Sequence, residues 1–284
     1  MSRLEVSRWT MPEKVLPRLA PDQAEGLRRL FVEDVRRMIA MVPCGTAELA
    51  AEQLAHLGSV LAAQGKRVLM LEESLSAGHA HEALAVTPEY DLDDVLNEGR
   101  DIERVVTPTG LKVDLIAGGG RTRALTQPRM ESRIGLVNAF YRLAGQYDVV
   151  LVNTGSDPIQ SRASFAWACQ DVIVLCHDHP DSVTQAYAQI KALHQAGERR
   201  FHLLFSGAEE PAAQTLFRRV ATVTRRHLHL MPSYLGALSA SGGLPVGVPG
   251  QVLAWPLPEH QAGHFPALMR RLLRGSHSRT YVSH

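Results

Sequence analysis

The sequence has few cysteines and no excess of either charge. Its 284 residues include three cysteines, Cys44, Cys169 and Cys176, and no CxxC pair. This scarcity excludes a disulfide framework and favours reduced, buried thiols. Thirty Lys and Arg residues nearly balance 29 Asp and Glu residues, so the net charge is +1. That balance argues against a general nucleic-acid-binding protein and against a highly charged disordered chain. We expect a globular protein with no direct nucleic-acid partner.

Long apolar runs are missing as well. No stretch of about 18 consecutive apolar residues occurs, so no membrane span is predicted. The first 20 residues lack the apolar segment of a signal peptide. We therefore expect a cytoplasmic location.

From about residue 37, apolar runs alternate with helical segments. Residues 68–71, 149–152 and 172–175 are uniformly apolar, which is typical of parallel strands covered on both faces. Residues 47–64 are rich in Ala and Leu and end at Gly65, which predicts a helix. The alternation predicts an α/β fold with a doubly wound, mostly parallel sheet and helices on both faces.

The chain divides into three predicted parts. Residues 1–36 form an arm with a helical segment that begins near Asp22, which can cap its first turn. Residues 37–258 form the α/β domain, whose last predicted strand is the apolar run at residues 252–255. Residues 259–284 form a short amphipathic tail.

The segment after the first predicted strand stands where a phosphate-binding loop would be. Such a loop needs a glycine-rich turn that brings backbone N–H groups to the phosphates, a Lys for charge and a Ser or Thr hydroxyl for Mg²⁺. Residues 42–51 contain only one glycine, Gly45, and no lysine. Pro43 removes an N–H donor, and Glu48 carries a negative charge towards any phosphate. These residues predict that a triphosphate is not bound here.

Six segments stand out, in this order along the chain: DQAEGLR at 22–28, GKRVLML at 65–71, YDLDDVL at 90–96, LIAGG at 115–119, YDVVLVNT at 147–154 and AYAQIK at 186–191. They resemble the MinD/ParA class of deviant Walker ATPases and, within it, the FlhG (FleN) family of flagellar-number regulators. Each is weak alone, but together and in this order they are specific. The resemblance covers residues 22 to about 240.

The resemblance also implies what the chain has lost. Counting back from Gly65 places the family's signature lysine at Gly45, its second lysine at Ala50 and its Mg²⁺-holding hydroxyl at Ala51. The remaining family positions are an aspartate that orients water, a switch aspartate and an adenine-contacting Asn. They fall on Ser74, Asn153 and Ser206. Because phosphoryl transfer depends on cations, metal and a positioned nucleophile, we predict a degenerate site and a pseudo-ATPase without ATP or Mg²⁺ as cofactor.

The arm has two interpretations. It packs on its own domain as a capping helix, or it docks on a partner through its apolar stripe. In the resembling family this motif activates the signal-recognition-particle-type GTPase FlhF. The resemblance implies that Gln23 and Arg28 reach the partner's GTP site, that Ala24 and Leu27 pack against it, and that Asp22 begins the motif. Flagellar switch proteins and a flagellar transcription activator are further implied partners.

The tail likewise has two interpretations, a helix that seals its own sheet or a weak membrane-surface contact. The latter adds an inner-membrane or polar location to the cytoplasmic expectation. The candidate contacts are Phe265, Leu268, Met269, Arg270, Arg271, Leu272, Leu273 and Arg274.

The histidines give no strong prediction of a metal. Three HxH pairs occur, at 79–81, 177–179 and 227–229, and on a strand such a pair could bind zinc. None of the pairs has a clear third or fourth ligand nearby, although Asp181 follows the pair at 177–179, so no metal is predicted. Nor is Cys176 beside His177 predicted to be a nucleophile, because nothing in the sequence orients the pair.

The sequence therefore predicts a regulator that acts by protein contacts. Two alternatives remain open, an active ATPase of the same fold with an unusual nucleotide loop and a structural adaptor in another polarity or secretion system.

Overall fold

A computed structural model describes residues 37–45, 47–73, 78–118, 143, 146–155, 164–167, 169–195 and 199–256. The arm at 1–36, Ser74 and the tail at 259–284 lie outside the described residues. In the described part, no helix is long and apolar enough to cross a bilayer.

The described strands form one sheet in the order β3-β4-β2-β5-β1-β6-β7-β8. They are β1 Met38–Cys44, β2 Val68–Glu72, β3 Thr107–Pro108, β4 Val113–Ile116, β5 Val149–Asn153, β6 Asp171–His177, β7 Arg200–Ser206 and β8 Ser233–Ala237. All neighbouring pairs are parallel except β3 and β4. The predicted fold class, a doubly wound and mostly parallel sheet, is confirmed.

Helices follow most of the strands. They are α1 Ala47–Ala63, α2 Ala80–Ala83, α3 Leu92–Glu98, α4 Ile102–Val105, α5 Ser182–Gln195, α6 Glu210–Leu228 and α7 Val248–Ala254, with a 3-10 helix at Phe165–Trp167. Helix α3 shows why local sequence was informative. The Asp91 carboxylate accepts hydrogen bonds from the N–H groups of Asp93 and Asp94, and the Asp91 N–H donates to the Asp94 carboxylate. These reciprocal bonds form a capping box.

The apolar core has two layers, one on each face of the sheet. On β1, Ile39 and Met41 pack in the layer that also holds residues of α1 and α7. Ala40 and Val42 point the other way, into the layer with α5 and α6. This alternation follows from the two-residue period of a strand and explains why β1 is apolar at nearly every position.

One predicted strand is wrong. Residues 252–255 were expected to be extended, whereas residues 248–254 form α7. Val248 and Val252 are both buried, and their four-residue spacing places them on one helical face. Pro249 lies in the first turn, where a proline costs no intrahelical hydrogen bond. A four-residue apolar run cannot distinguish a buried strand from a buried helix.

Candidate functional site

The carboxyl ends of β2, β5, β1, β6 and β7 meet at one edge of the sheet. In open α/β folds ligands bind at this edge, where the strand order reverses. Here β1 lies between β5 and β6, so the reversal falls at the end of β1. The fold brings three predicted positions, Gly45, Asn153 and Ser206, to this edge. Ala50 and Ala51 lie nearby in α1, and Ser74 is outside the described residues.

The turn after β1 is short. Strand β1 ends at Cys44 and α1 begins at Ala47, which leaves two residues between them. A phosphate-binding loop of the G-x-x-x-x-G-K type places about six residues before its lysine. Ala50 and Ala51 are almost fully buried within α1, and their methyl groups offer neither charge nor a hydroxyl. Helix thus occupies the stretch on which the family's phosphate loop would fall.

Backbone from a later segment covers the start of α1. Gly78 has a φ of +70°, and a Cβ placed on it would lie 2.3 Å from the carbonyl carbon of Ala47. Only glycine permits so close an approach with this backbone conformation. The Asn153 side-chain amide donates to the Gly78 carbonyl over 2.7 Å and is fully buried. The neutral residue at the switch position therefore holds a backbone segment against the first helix.

His177 covers the other side of the turn. A Cβ on Gly45 would lie 3.0 Å from the His177 Cβ, and a Cβ on Gly207 would lie 2.8 Å from its ring. His177 Nδ1 and Ser206 Oγ are 3.1 Å apart. Ser206, expected at the adenine position, also donates to the Cys176 carbonyl over 3.3 Å and is buried. Its hydroxyl is engaged inside the protein.

Cys176 is an internal thiol. It is fully buried, and its hydrogen bond with Cys44, followed by burial, raises its pKa well above the ordinary value. A thiol with a raised pKa is a poor nucleophile. This agrees with the prediction that the Cys176–His177 pair is not catalytic.

Two consecutive glutamates, one ending β2 and one directly after it, make different contacts. Glu73 is fully buried and accepts hydrogen bonds from the Ser164 hydroxyl at 2.7 Å and from the Phe165 N–H. This carboxylate ties the end of β2 to the start of the 3-10 helix. Burial raises the pKa of the Cys169 thiol, and the negative charge of Glu73 raises it further.

Glu72 faces a pair of histidines that sequence analysis did not connect to it. Its Oε1 lies 3.1 Å from His79 Nδ1, and its Oε2 lies 3.1 Å from His81 Nδ1. The Ala80 N–H donates to Oε1 over 2.7 Å. The missing third partner of this HxH pair precedes it by seven residues in sequence. A buried acid directly after a strand is the signal that could have identified it.

The amino ends of the strands lie at the opposite edge of the sheet, where hydrogen bonds hold the chain segments next to the arm and the tail. Arg37 donates to the carbonyls of Leu253 and Trp255 at 3.1 and 2.9 Å. Arg200 forms two 2.7 Å hydrogen bonds with Asp171 and a third, of 2.8 Å, with the Pro256 carbonyl.

A stacked pair completes this anchor. The ring centroids of His202 and Trp255 are 3.7 Å apart, with an angle of 10° between the ring planes. His202 Nε2 is 3.0 Å from Asp171 Oδ1. Although burial alone would raise the pKa of Asp171, hydrogen bonds from Arg200 and His202 lower it overall. Residues 37 and 256, which adjoin the arm and the tail, therefore meet at the edge opposite the β1–α1 turn.

The architecture is that of the MinD/ParA class of nucleotide-binding proteins. MinD from Pyrococcus furiosus superposes with a TM-score of 0.54 at 17% identity, covering 83% of this chain and 98% of that one. A ParA family ATPase from Chlorobium tepidum gives a TM-score of 0.54 at 14% identity, over 84% of this chain and 98% of that one. At these identities the likeness establishes the fold alone. No family model matches the chain.

The sequence adds a more specific similarity. The chain is 29% identical over 246 residues to the antiactivator FleN of Pseudomonas aeruginosa, covering 77% of this chain and 87% of that protein. The predicted resemblance is confirmed: the chain is similar to FleN in sequence and has the MinD/ParA fold.

Proposed function

We propose that this protein is a FleN-like regulator of flagellum number or placement that acts through protein contacts and has lost its own ATPase. Its arm would stimulate the signal-recognition-particle-type GTPase FlhF. Flagellar switch proteins and a flagellar transcription activator would be further partners. The similarity to an antiactivator supports a regulatory role.

The short turn between β1 and α1 is the observation that supports the proposed loss of ATPase activity. Two residues separate the strand from the helix, and the Gly78 backbone lies against the helix start. A triphosphate bound there would displace that segment and would meet Glu48 in the first helical turn. Catalysis would further require cationic stabilisation, which Ala50 and Ala51 cannot give.

The position of Arg37 supports the role of the arm. The arm continues from Arg37, which is held at the edge opposite the β1–α1 turn by two hydrogen bonds. Gln23 would position water and Arg28 would offset charge in the partner's site, as expected of an activator supplied in trans.

GTP hydrolysis by the partner tests this role. Full-length protein should accelerate hydrolysis, and Gln23→Ala and Arg28→Ala should each remove most of the acceleration while leaving circular dichroism unchanged. Arg226→Ala is the matched control, because Arg226 is an exposed cation at the end of α6. If Gln23→Ala stimulates as well as the parent, the mechanism is wrong. A protein that neither stimulates nor binds the GTPase would instead favour the adaptor role.

For the tail, we propose a weak, peripheral membrane contact. The apolar residues at 265–273 and Arg270, Arg271 and Arg274 would lie at the lipid surface. In sedimentation with anionic vesicles, part of the full chain should pellet with the lipid, whereas a chain that ends at residue 258 should stay in the supernatant. Equal sedimentation of both would contradict the contact.

A further inference from the structure

We propose that Glu72, His79 and His81 form a binding site for a divalent transition metal, with Zn²⁺ as the preferred ion. Within the described residues they are the one group of three such side chains whose ligand atoms all lie within 4.8 Å of one another. This inference does not depend on the proposed function.

The distances suit a shared ion. Each histidine Nδ1 lies 3.1 Å from a carboxylate oxygen of Glu72. In a tetrahedral zinc site with bonds of about 2.0–2.1 Å, ligand atoms are about 3.3 Å apart. The ligand atoms of the three groups, which lie within 4.8 Å of one another, would move closer together to bind one ion. Two imidazoles and one carboxylate also form the ligand set of several catalytic zinc sites, in which water completes the coordination.

The backbone holds the ligands in place. Glu72 is the last residue of β2 and is almost fully buried, and the Ala80 N–H fixes one of its oxygens. His79 and His81 flank that same N–H, with their rings stacked 5.0 Å apart at 27°. Asn153 secures Gly78, the residue before His79. Pre-positioned ligands lose little entropy when a metal binds.

Access and charge favour a cation from solution. The two histidine side chains are 27% and 33% exposed, whereas that of Glu72 is 3% exposed. An ion can therefore approach from the histidine side and retain a water ligand. The described ion pairs of Glu72 are with these histidines. In the described part of the chain no Lys or Arg pairs with Glu72, so a divalent cation would compensate its buried charge.

The ligand chemistry selects the metal. Imidazole suits zinc, copper, nickel and iron, whereas magnesium and calcium prefer oxygen ligands. The site would therefore not act as a Mg²⁺ site for a nucleotide. A bound ion would join residues 79–81 to the end of β2 and hold Gly78 against α1, so Zn²⁺ should raise the melting temperature.

Zinc binding by the untagged, metal-free full chain tests the proposal. Calorimetric titration with Zn²⁺ in the presence of a competing chelator should give one tight site per chain. Co²⁺ should give the visible absorption of a tetrahedral complex. Loss of an outer-shell partner typically costs about 10- to 100-fold in affinity. His79 and His81 would bind the ion directly, so His79→Ala and His81→Ala should each weaken Zn²⁺ binding by at least about 100-fold. Mg²⁺ should not compete.

A second HxH pair provides the matched control. His227 and His229 are exposed at the end of α6 and do not belong to a three-ligand group in the described part of the chain. His227→Ala/His229→Ala should retain the tight site. Absence of a stoichiometric site in the parent, or an unchanged affinity in both His79→Ala and His81→Ala, would overturn the proposal. Both positions are partly exposed, so these variants decide the matter even if Glu72→Gln fails to fold.

Discussion

Replacing Gly78 by Ala tests whether the segment after β2 is packed against the first helix. The new Cβ would lie 2.3 Å from the carbonyl carbon of Ala47 and 2.4 Å from its oxygen. Both are backbone atoms, which cannot rotate away as a side chain can. The φ of +70° adds about 1–2 kcal/mol for a residue with a Cβ, and overpacking adds about 1–3 kcal/mol. We expect Gly78→Ala to lower the free energy of unfolding by about 2–5 kcal/mol.

Gly99→Ala is the control for that measurement. Gly99 ends α3 with a φ of +67°, and a Cβ there would meet nothing within 4 Å. The two variants thus share the backbone penalty and differ in the steric clash. In urea unfolding followed by circular dichroism, Gly78→Ala should be less stable than Gly99→Ala by about 1–3 kcal/mol. Equal losses in the two variants would refute the close contact.

Three further predictions concern the core and the opposite edge. Asp171→Asn should cost about 3 kcal/mol at pH 7 because it leaves Arg200 without its buried partner. Since the folded state lowers the pKa of Asp171, its contribution is complete above the unfolded value of about 3.9 and is lost as the pH falls through the folded value. The gap between parent and variant in urea unfolding should therefore narrow in acid, and a constant gap would contradict this. Leu54→Ala, at a fully buried position, should cost about 2–5 kcal/mol, and a thermal shift below 2 °C would contradict that packing. Cys169 and Cys176 should resist iodoacetamide at pH 8 until the chain unfolds, because both thiol pKa values are raised; rapid labelling of the native chain, read by mass spectrometry, would disagree.

The sheet could be predicted largely from the sequence. Strand β6 is apolar at five consecutive positions and buried on both faces, and α1, Ala47–Ala63, matches the helix predicted at residues 47–64 to within one residue. The pattern that predicts each of these elements lies within a few consecutive residues, so the local sequence was enough to predict them. Helix α7 was missed because only seven residues form it, too few for a period to be distinguished from an extended run.

The contacts at the carboxyl edge could be predicted only in part. The sequence alone placed Gly45 and Asn153 at this edge, because each follows or ends an apolar run. The closure of the turn depends on Gly78, which approaches Ala47 from 31 positions further along the chain. The partnership of Glu72 with His79 and His81 depends on how the chain returns to β2. Contacts between residues of different segments produce no repeating pattern in a single sequence, so they could not be predicted from it.

The most direct test of the central claim is calorimetric titration of the full chain with ATP and Mg²⁺. The claim is that a helix and a packed glycine now occupy the place of the phosphate loop. It predicts no saturable heat above that of dilution, corresponding to a Kd weaker than about 1 mM or a binding free energy no more favourable than about −4 kcal/mol. Saturable binding with a micromolar Kd, about −8 kcal/mol, would contradict it.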